Sequence, residues 1–334
     1  MADRLVPIER IHAARERITG RVHRTPIFTS ATAARLVEGA TAARIGDGRL
    51  YVKAEHLQKT GSFKPRAALS KLTSLSSAER AAGVITLSAG NAAQAYAWAG
   101  SVEGVAVTVT MPAKAVRSKV DASRDYGAEV VLHGAHIGET LARLQELIDE
   151  RGLTLVHPFD DPEVIAGNGS VGLEILEDLP DVDVVVAGVG GGGLISGVAT
   201  ALKEQRPGTR VYGVEPERSD AVSRAIKAGQ VVRVEPASLA DGLGAPFAGE
   251  WTLPICRTYL DDIVLLDDAT ILRGLRFAAE RMKQVLEPAG AAALAAVIHG
   301  RIPIRAGERV CVIASGGNVE ISRLGEFLEG AAGA

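Results

Sequence analysis

The sequence predicts an α/β protein built as two doubly wound, open-sheet lobes. Three observations carry that expectation: short apolar runs rich in valine and isoleucine recur along the chain, helical segments separate most of them, and glycine-rich turns follow several. Such alternation gives mostly parallel sheets with helices on both faces and ligands at the carboxyl ends of strands. A chain of 334 residues is too long for one simple core, so two domains or one large α/β unit are expected.

The elements follow in order. Residues 8–18 read as an amphipathic helix, with Ile8, Ile11, Ala14 and Ile18 supplying the apolar positions. Residues 50–54 form a strand-like run ahead of a polar turn at 58–61. Residues 83–87 read as a buried strand ending at Ser88-Ala89-Gly90-Asn91, and 92–100 as the next helix. Strands at 105–111 and 128–132 lead to a helical run at 140–151. Residues 182–186, 210–214, 263–265 and 309–313 supply further strands. There is no internal repeat or low-complexity linker, and the tail Gly330-Ala331-Ala332-Gly333-Ala334 is expected to fray.

Composition narrows the class. Apolar residues make up 47% and charged residues 23%, as in ordinary soluble proteins. A net charge of −3 leaves no basic footprint for nucleic acid or an anionic membrane. The two cysteines, Cys256 and Cys311, cannot build a disulfide framework, and Cys311 reads as a buried structural thiol. The N-terminal segment is charged and amphipathic without an apolar h-region, so a cytoplasmic protein without a signal peptide is expected. Residues 184–202 carry no charge and reach membrane-spanning length, but the glycines among them favour a strand, a turn and a helix.

Chemistry concentrates at Thr60-Gly61-Ser62-Phe63-Lys64-Pro65-Arg66. Pro65 fixes its own φ and suits the first turn of a helix, which places Lys64 near a helix N-terminus. There the helix dipole and nearby Arg66 are expected to favour the neutral amine. A neutral amine is a nucleophile able to form a Schiff base.

The segment resembles the cofactor-lysine motif of pyridoxal-phosphate enzymes of the tryptophan-synthase-β fold type (fold type II), closest to the threonine/serine dehydratase and serine racemase branch. The resemblance runs from about Ile8 to Leu324. It implies that Lys64 carries pyridoxal 5'-phosphate and that Phe63 packs on its ring. It also implies a large cofactor domain of residues 1–71 plus 153–334, with a small substrate-loop domain of 72–152 inserted. A homodimer is expected on the same ground.

A second motif is the strand, glycine loop and helix start that includes Gly188-Val189-Gly190-Gly191-Gly192-Gly193-Leu194. Consecutive glycines let several backbone N–H groups converge on one anion, with a helix dipole behind them. The resemblance makes Gly190, Gly191, Gly192, Gly193 and Leu194 the phosphate site. The same residues satisfy a dinucleotide fingerprint over 188–193, with Glu215 placed as a ribose-binding acid, so a nicotinamide oxidoreductase stays open. Glu215 is also the residue that a structural divalent or monovalent cation would use by resemblance, although Ala221 stands where a further acid is usual.

Ser88, Ala89, Gly90, Asn91 and Gln94 occupy a strand-to-helix turn whose N–H groups suit a carboxylate, or serve only as a helix cap. By resemblance this is the substrate loop, and Asn91 also binds the phenolic oxygen of the cofactor. Ala89 replaces the serine that the racemase branch uses as its second acid/base, which disfavours racemisation; Ala92 replaces a usual histidine and Ala67 a usual glycine. Asn168 and Ser170 replace a usual glutamine and threonine, and His157 reads as structural. Ser315 would face the pyridine nitrogen, and Asp241-Gly242 and Glu287-Pro288 match segments lining the cofactor.

The expectation is an ammonia-lyase acting on a β-hydroxy-α-amino acid such as L-threonine or L-serine. Alternatives are 3-hydroxyaspartate or phenylserine as substrate, or an amino-acid racemase. A feedback-regulated form is not expected, because little sequence follows residue 330.

Overall fold

The computed structural model describes residues 4–330. Its ten strands, counted among those residues, are β1 (Ile27–Ser30), β2 (Leu50–Lys53), β3 (Val84–Leu87), β4 (Val107–Met111), β5 (Glu129–Leu132), β6 (Thr154–Leu155), β7 (Val184–Gly188), β8 (Arg210–Pro216), β9 (Asp262–Leu266) and β10 (Val310–Ile313). They form a six-stranded sheet in the order β1-β2-β10-β7-β8-β9 and a four-stranded sheet in the order β5-β4-β3-β6. All pairings are parallel except β1 with β2. The fourth strand of the small sheet, Thr154–Leu155, falls just past the limit of 152 expected for the small lobe.

Alternation along the central strands makes the two cores of the large lobe. Val184, Val186, Val310 and Val312 face one side and pack against the helix Pro288–Ile298. Val185, Ala187, Cys311 and Ile313 face the other and pack against the helix Gly193–Gln205. Both faces are dry, which is why these strands read as unbroken apolar runs rather than alternating ones. Burial pushes the Cys311 thiol up to about 12, which fits a structural residue. Residues 184–202 are a strand, a loop and part of a helix, and among the described residues no helix is long and apolar enough to cross a membrane.

Sheet order fixes where a ligand can sit. The chain leaves β7 for β8 on one side while β10 lies on the other, so a crevice opens between the loops after β7 and β10. In the small sheet β3 has β4 on one side and β6 on the other, which opens a crevice after β3. The loops expected to hold phosphate and carboxylate fall at these two points.

One feature of the junction was invisible in the sequence: Arg66 is fully buried and its guanidinium is shared by two buried glutamates. It donates to Glu55 at 2.8 and 2.9 Å and to Glu174 at 2.7 and 2.8 Å. Lys53, also fully buried, donates to Glu174 at 2.6 Å and to the Thr25 carbonyl at 2.7 Å. Two cations and two anions cancel, which is the condition for keeping charge in a dry site. Burial alone would raise the Glu174 pKa, but the Arg66 hydrogen bonds and the charges of Arg66 and Lys53 bring it below its ordinary value.

Removing one member should strand the others. Arg66→Met is expected to destabilise the fold by about 3–5 kcal/mol in denaturant titration. Because the Glu174 pKa is lowered on folding, its contribution is present above the ordinary carboxylate pKa and is lost as pH falls through the lowered value. Wild-type stability should therefore fall on acidification, and Glu174→Gln, with its own baseline cost, should flatten that fall.

Candidate active site

Lys64 is held by a clasp made from the end of β10. After β2 the chain turns through Thr60 at φ +56° and Gly61 at φ +73°; a Cβ on Gly61 would fall 2.3 Å from Asn318 Oδ1. Phe63 N–H donates to the Ser315 carbonyl at 3.1 Å, and Gly317 N–H donates to the Gly61 carbonyl at 2.9 Å. Asn318 Nδ2 donates to the Thr60 carbonyl at 2.7 Å. The helix Lys64–Thr73 starts immediately, with Pro65 in its first turn. The expected position of Lys64 at a helix N-terminus is thus what the chain adopts.

Its amine donates to the Pro158 carbonyl at 2.8 Å and lies 5.1 Å from the Phe63 ring centroid. Burial lowers its pKa to about 8, against the opposing charge of Glu287. The expected role of Arg66 is corrected here. Its charge is spent on Glu55 and Glu174, and desolvation depresses the amine.

The loop after β3 meets the large lobe at Glu287 and Asn318. Gly90 N–H donates to Ser88 Oγ at 3.2 Å, and the helix Asn91–Glu103 begins at the next residue. Asn91 Nδ2 donates to Glu287 Oε1 at 2.6 Å, while Asn91 Oδ1 accepts from Asn318 Nδ2 at 2.9 Å. Gln94 is buried and shares the wall of a cavity of about 330 Å³ with Lys119, Asp241, Glu287 and Asn318. Ala89 is half-buried in this loop.

The glycine loop is pressed from both sides. A Cβ on Gly191 would lie 2.4 Å from the Phe159 ring, and one on Gly192, which has φ +93°, would lie 2.8 Å from Thr252 Cβ. Thr252 Oγ1 donates to the Gly191 carbonyl at 2.7 Å and so turns that carbonyl outward from the loop. Gly193 and Leu194 open the helix Gly193–Gln205, where first-turn N–H groups have no acceptor within the helix. The cradle therefore offers amides and excludes side chains, a fit to a phosphate monoester. Gly190 packs within 3.3 Å of the Asp241–Leu243 turn, measured from a notional Cβ. Ser315, two residues past β10, is buried, with its hydroxyl donating at a long 3.5 Å to the Ala289 carbonyl.

Glu215 lies outside this assembly. Its carboxylate accepts from the Val222 and Ser223 N–H groups at 2.8 and 2.9 Å and so caps the helix Ala221–Ala228. Burial raises its pKa to about 7. Each oxygen accepts one helix N–H, and no group of three or more Asp, Glu, His or Cys suited to a metal occurs among the described residues, so the expected cation gains no support here. His157 is structural as expected, its Nδ1 accepting from Asp160 N–H at 2.8 Å. The contact network of Asn318 was not anticipated; only its place two residues past a strand-end glycine hinted at it.

A desolvated lysine bonded to the Pro158 carbonyl, with the ring of Phe159 packed on an amide cradle, fits a phosphorylated carbonyl cofactor, and comparison with known proteins agrees. The chain belongs to the pyridoxal-phosphate dependent enzyme family, whose profile matches residues 18–316. Within it the chain sits in the threonine/serine dehydratase branch. It is 39% identical over 324 residues to the catabolic L-threonine dehydratase of Escherichia coli (strain K12), covering 96% of each chain. It is also 39% identical over 324 residues to the L-threo-3-hydroxyaspartate ammonia-lyase of Pseudomonas sp, covering 95% of this chain and 97% of that one. Among solved structures, maize serine racemase superposes with a TM-score of 0.89 at 33% identity, covering 97% of both chains. The nicotinamide reading of the 188–193 loop is set aside.

The lysine environment makes a test that needs no turnover. The rate at which the cofactor-free protein takes up pyridoxal phosphate should rise with pH through about 8, as the Lys64 ammonium loses its proton. Glu287 holds that proton on, so Glu287→Gln should move the midpoint to lower pH in a stopped-flow absorbance titration.

Proposed function

We propose that Lys64 is the cofactor-bearing and catalytic base of an ammonia-lyase that converts a β-hydroxy-α-amino acid, L-threonine or L-serine, into a 2-oxo acid and ammonia. The observation that carries the reading is the Lys64 amine, desolvated and opposed across the site by a loop with no second proton carrier at Ala89.

The amides of Gly190, Gly191, Gly192, Gly193 and Leu194 would hold the cofactor phosphate, and the Phe63 ring would flank the pyridine. When bound, the cofactor supplies an electron sink for the Cα–H bond. Asn91 keeps one Nδ2 proton after bonding Glu287, which is free for the phenolic oxygen. Ser315, a hydroxyl rather than a carboxylate, would hold the pyridine nitrogen without fixing a full positive charge there. That choice favours prompt loss of the β-hydroxyl over a long-lived carbanion.

Substrate enters with its carboxylate on the loop of Ser88, Ala89, Gly90, Asn91 and Gln94, where the N-terminus of the helix Asn91–Glu103 points its amides. Lys64 Nζ, once displaced by the substrate amine, takes the Cα proton as general base. The Pro158 carbonyl steers that nitrogen. The methyl of Ala89 cannot return a proton to the opposite face, so elimination follows rather than racemisation. Closure of the small lobe on the large one excludes water. The proposal includes a cytoplasmic homodimer, by resemblance.

A 3-hydroxyaspartate lyase is the second reading, since the Pseudomonas relative of that name matches at the same identity as the threonine dehydratase. The test is 2-oxo acid release by holoenzyme from L-threonine, L-serine and 3-hydroxyaspartate, with chiral analysis of residual substrate. Lys64→Ala should lower turnover by at least about a thousandfold, the usual scale for loss of a covalent catalytic group. Turnover retained in Lys64→Ala, or D-serine formed as fast as pyruvate, would contradict the proposal.

A further inference from the structure

An ion pair spans the two lobes along a cavity that Glu287, Asn318 and Gln94 also line. Lys119 lies on the helix Arg117–Asp125 beside the four-stranded sheet, and Asp241 opens the 3-10 turn Asp241–Leu243 of the large lobe. Lys119 Nζ donates to Asp241 Oδ2 at 2.6 Å. The lysine side chain is 14% exposed and the aspartate 48%, so the pair is sheltered from solvent on its lysine side only. Both residues line the cavity that also holds Gln94 and Glu287.

The turn carrying Asp241 is braced from behind. A Cβ on Gly242 would lie 2.8 Å from Ala289 Cβ and 3.6 Å from Glu287 Oε1. Asp241 therefore sits close to the buried Glu287, whose carboxylate holds Asn91. The charged groups facing Glu287 are Asp241, Lys119 and Lys64, each from a different element, with Glu320 and Arg323 further along the same wall.

We propose that Lys119 and Asp241 form a latch that holds the small lobe against the large one and fixes the charge balance around Glu287. Neither residue touches the reacting atoms; both are positioning residues. The latch deepens the lyase reading of this site, and its kinetic consequence rests on that reading.

The electrostatics give the latch a signature that simple loss of structure lacks. Burial pushes Glu287 up to about 7, Asp241 pushes it further up, and Lys119 pulls it down. Breaking the pair from either end should loosen the lobes equally. The two substitutions should nonetheless move Glu287 in opposite directions.

The test uses holoenzyme carrying Lys119→Met, Asp241→Asn, both together, or Lys119→Arg. Amide hydrogen exchange should rise roughly three- to tenfold over 117–125 and 241–243 in each single variant, the scale of a partly buried ion pair. Exchange over 8–18 should not change, the double variant should add nothing, and Lys119→Arg should behave as wild type. The acid limb of kcat/KM, set in this proposal by the Glu287 carboxylate that must be ionised to hold Asn91 Nδ2, should move to higher pH in Lys119→Met and to lower pH in Asp241→Asn. Unchanged exchange in both single variants, additive effects in the double, or limbs moving together would overturn the latch. If wild-type holoenzyme releases no 2-oxo acid, the lyase reading fails, and the exchange data still decide the latch.

Discussion

The structure depends on the cancellation of charge around Arg66. Its guanidinium is fixed by two carboxylates, Glu55 at the exit of β2 and Glu174 on the helix Pro162–Asp178. Glu174 is fixed again by Lys53 on β2 itself. The β2 exit and the lysine helix are thereby locked to a helix more than a hundred residues on, two residues from Lys64. A buried ionic cluster of this kind is weak evidence for net stability, since apolar packing often does as well. Its consequence is geometric: it sets the start of the helix Lys64–Thr73, and it withholds the Arg66 charge from the lysine. The amine is left to be tuned by burial and by Glu287.

A second constraint comes from sheet order. The Lys64 segment, the glycine loop and the turn 315–318 all leave the carboxyl ends of strands in the large sheet, while the 88–94 loop and Pro158 come from the small one. Asn91 joins the two halves, accepting from Asn318 and donating to Glu287. Movement of the small lobe must therefore change the hydrogen bonds that hold Asn91, the residue proposed to meet the cofactor oxygen. Binding and lobe position become one equilibrium rather than two.

Much of this was legible in the sequence, for physical reasons that differ by element. The doubly buried strands could be read because parallel strands with two dry faces carry unbroken apolar runs, as at Val184–Gly188 and Val310–Ile313. The helix Ile8–Ile18 was readable from its 3.6-residue period. The lysine and glycine motifs were readable because the chemistry proposed for them limits which residues fit. By contrast β1, Ile27–Ser30, is a short edge strand with a polar second half, and nothing in its pattern announced it. The Arg66 partners lie 11 and 108 residues away, and Asn318 lies 227 residues from Asn91. Pairings at such separations are made by topology, which one sequence does not spell out. The part Glu215 plays was hidden for a related reason: a carboxylate at a strand end can equally cap the next helix, as it does here. The tail residues 331–334, expected to fray, lie outside the described residues.

The central claim is that one lysine, desolvated at the start of a helix and bonded to the Pro158 carbonyl, carries the cofactor. Borohydride reduction of the protein saturated with pyridoxal phosphate, followed by peptide mass mapping, tests it most directly. A single reduced pyridoxyl adduct on the peptide containing Lys64, accompanied by loss of an absorbance band near roughly 415 nm, is the predicted result. An adduct confined to another lysine, or a protein that stays colourless with the cofactor in excess, would contradict the account.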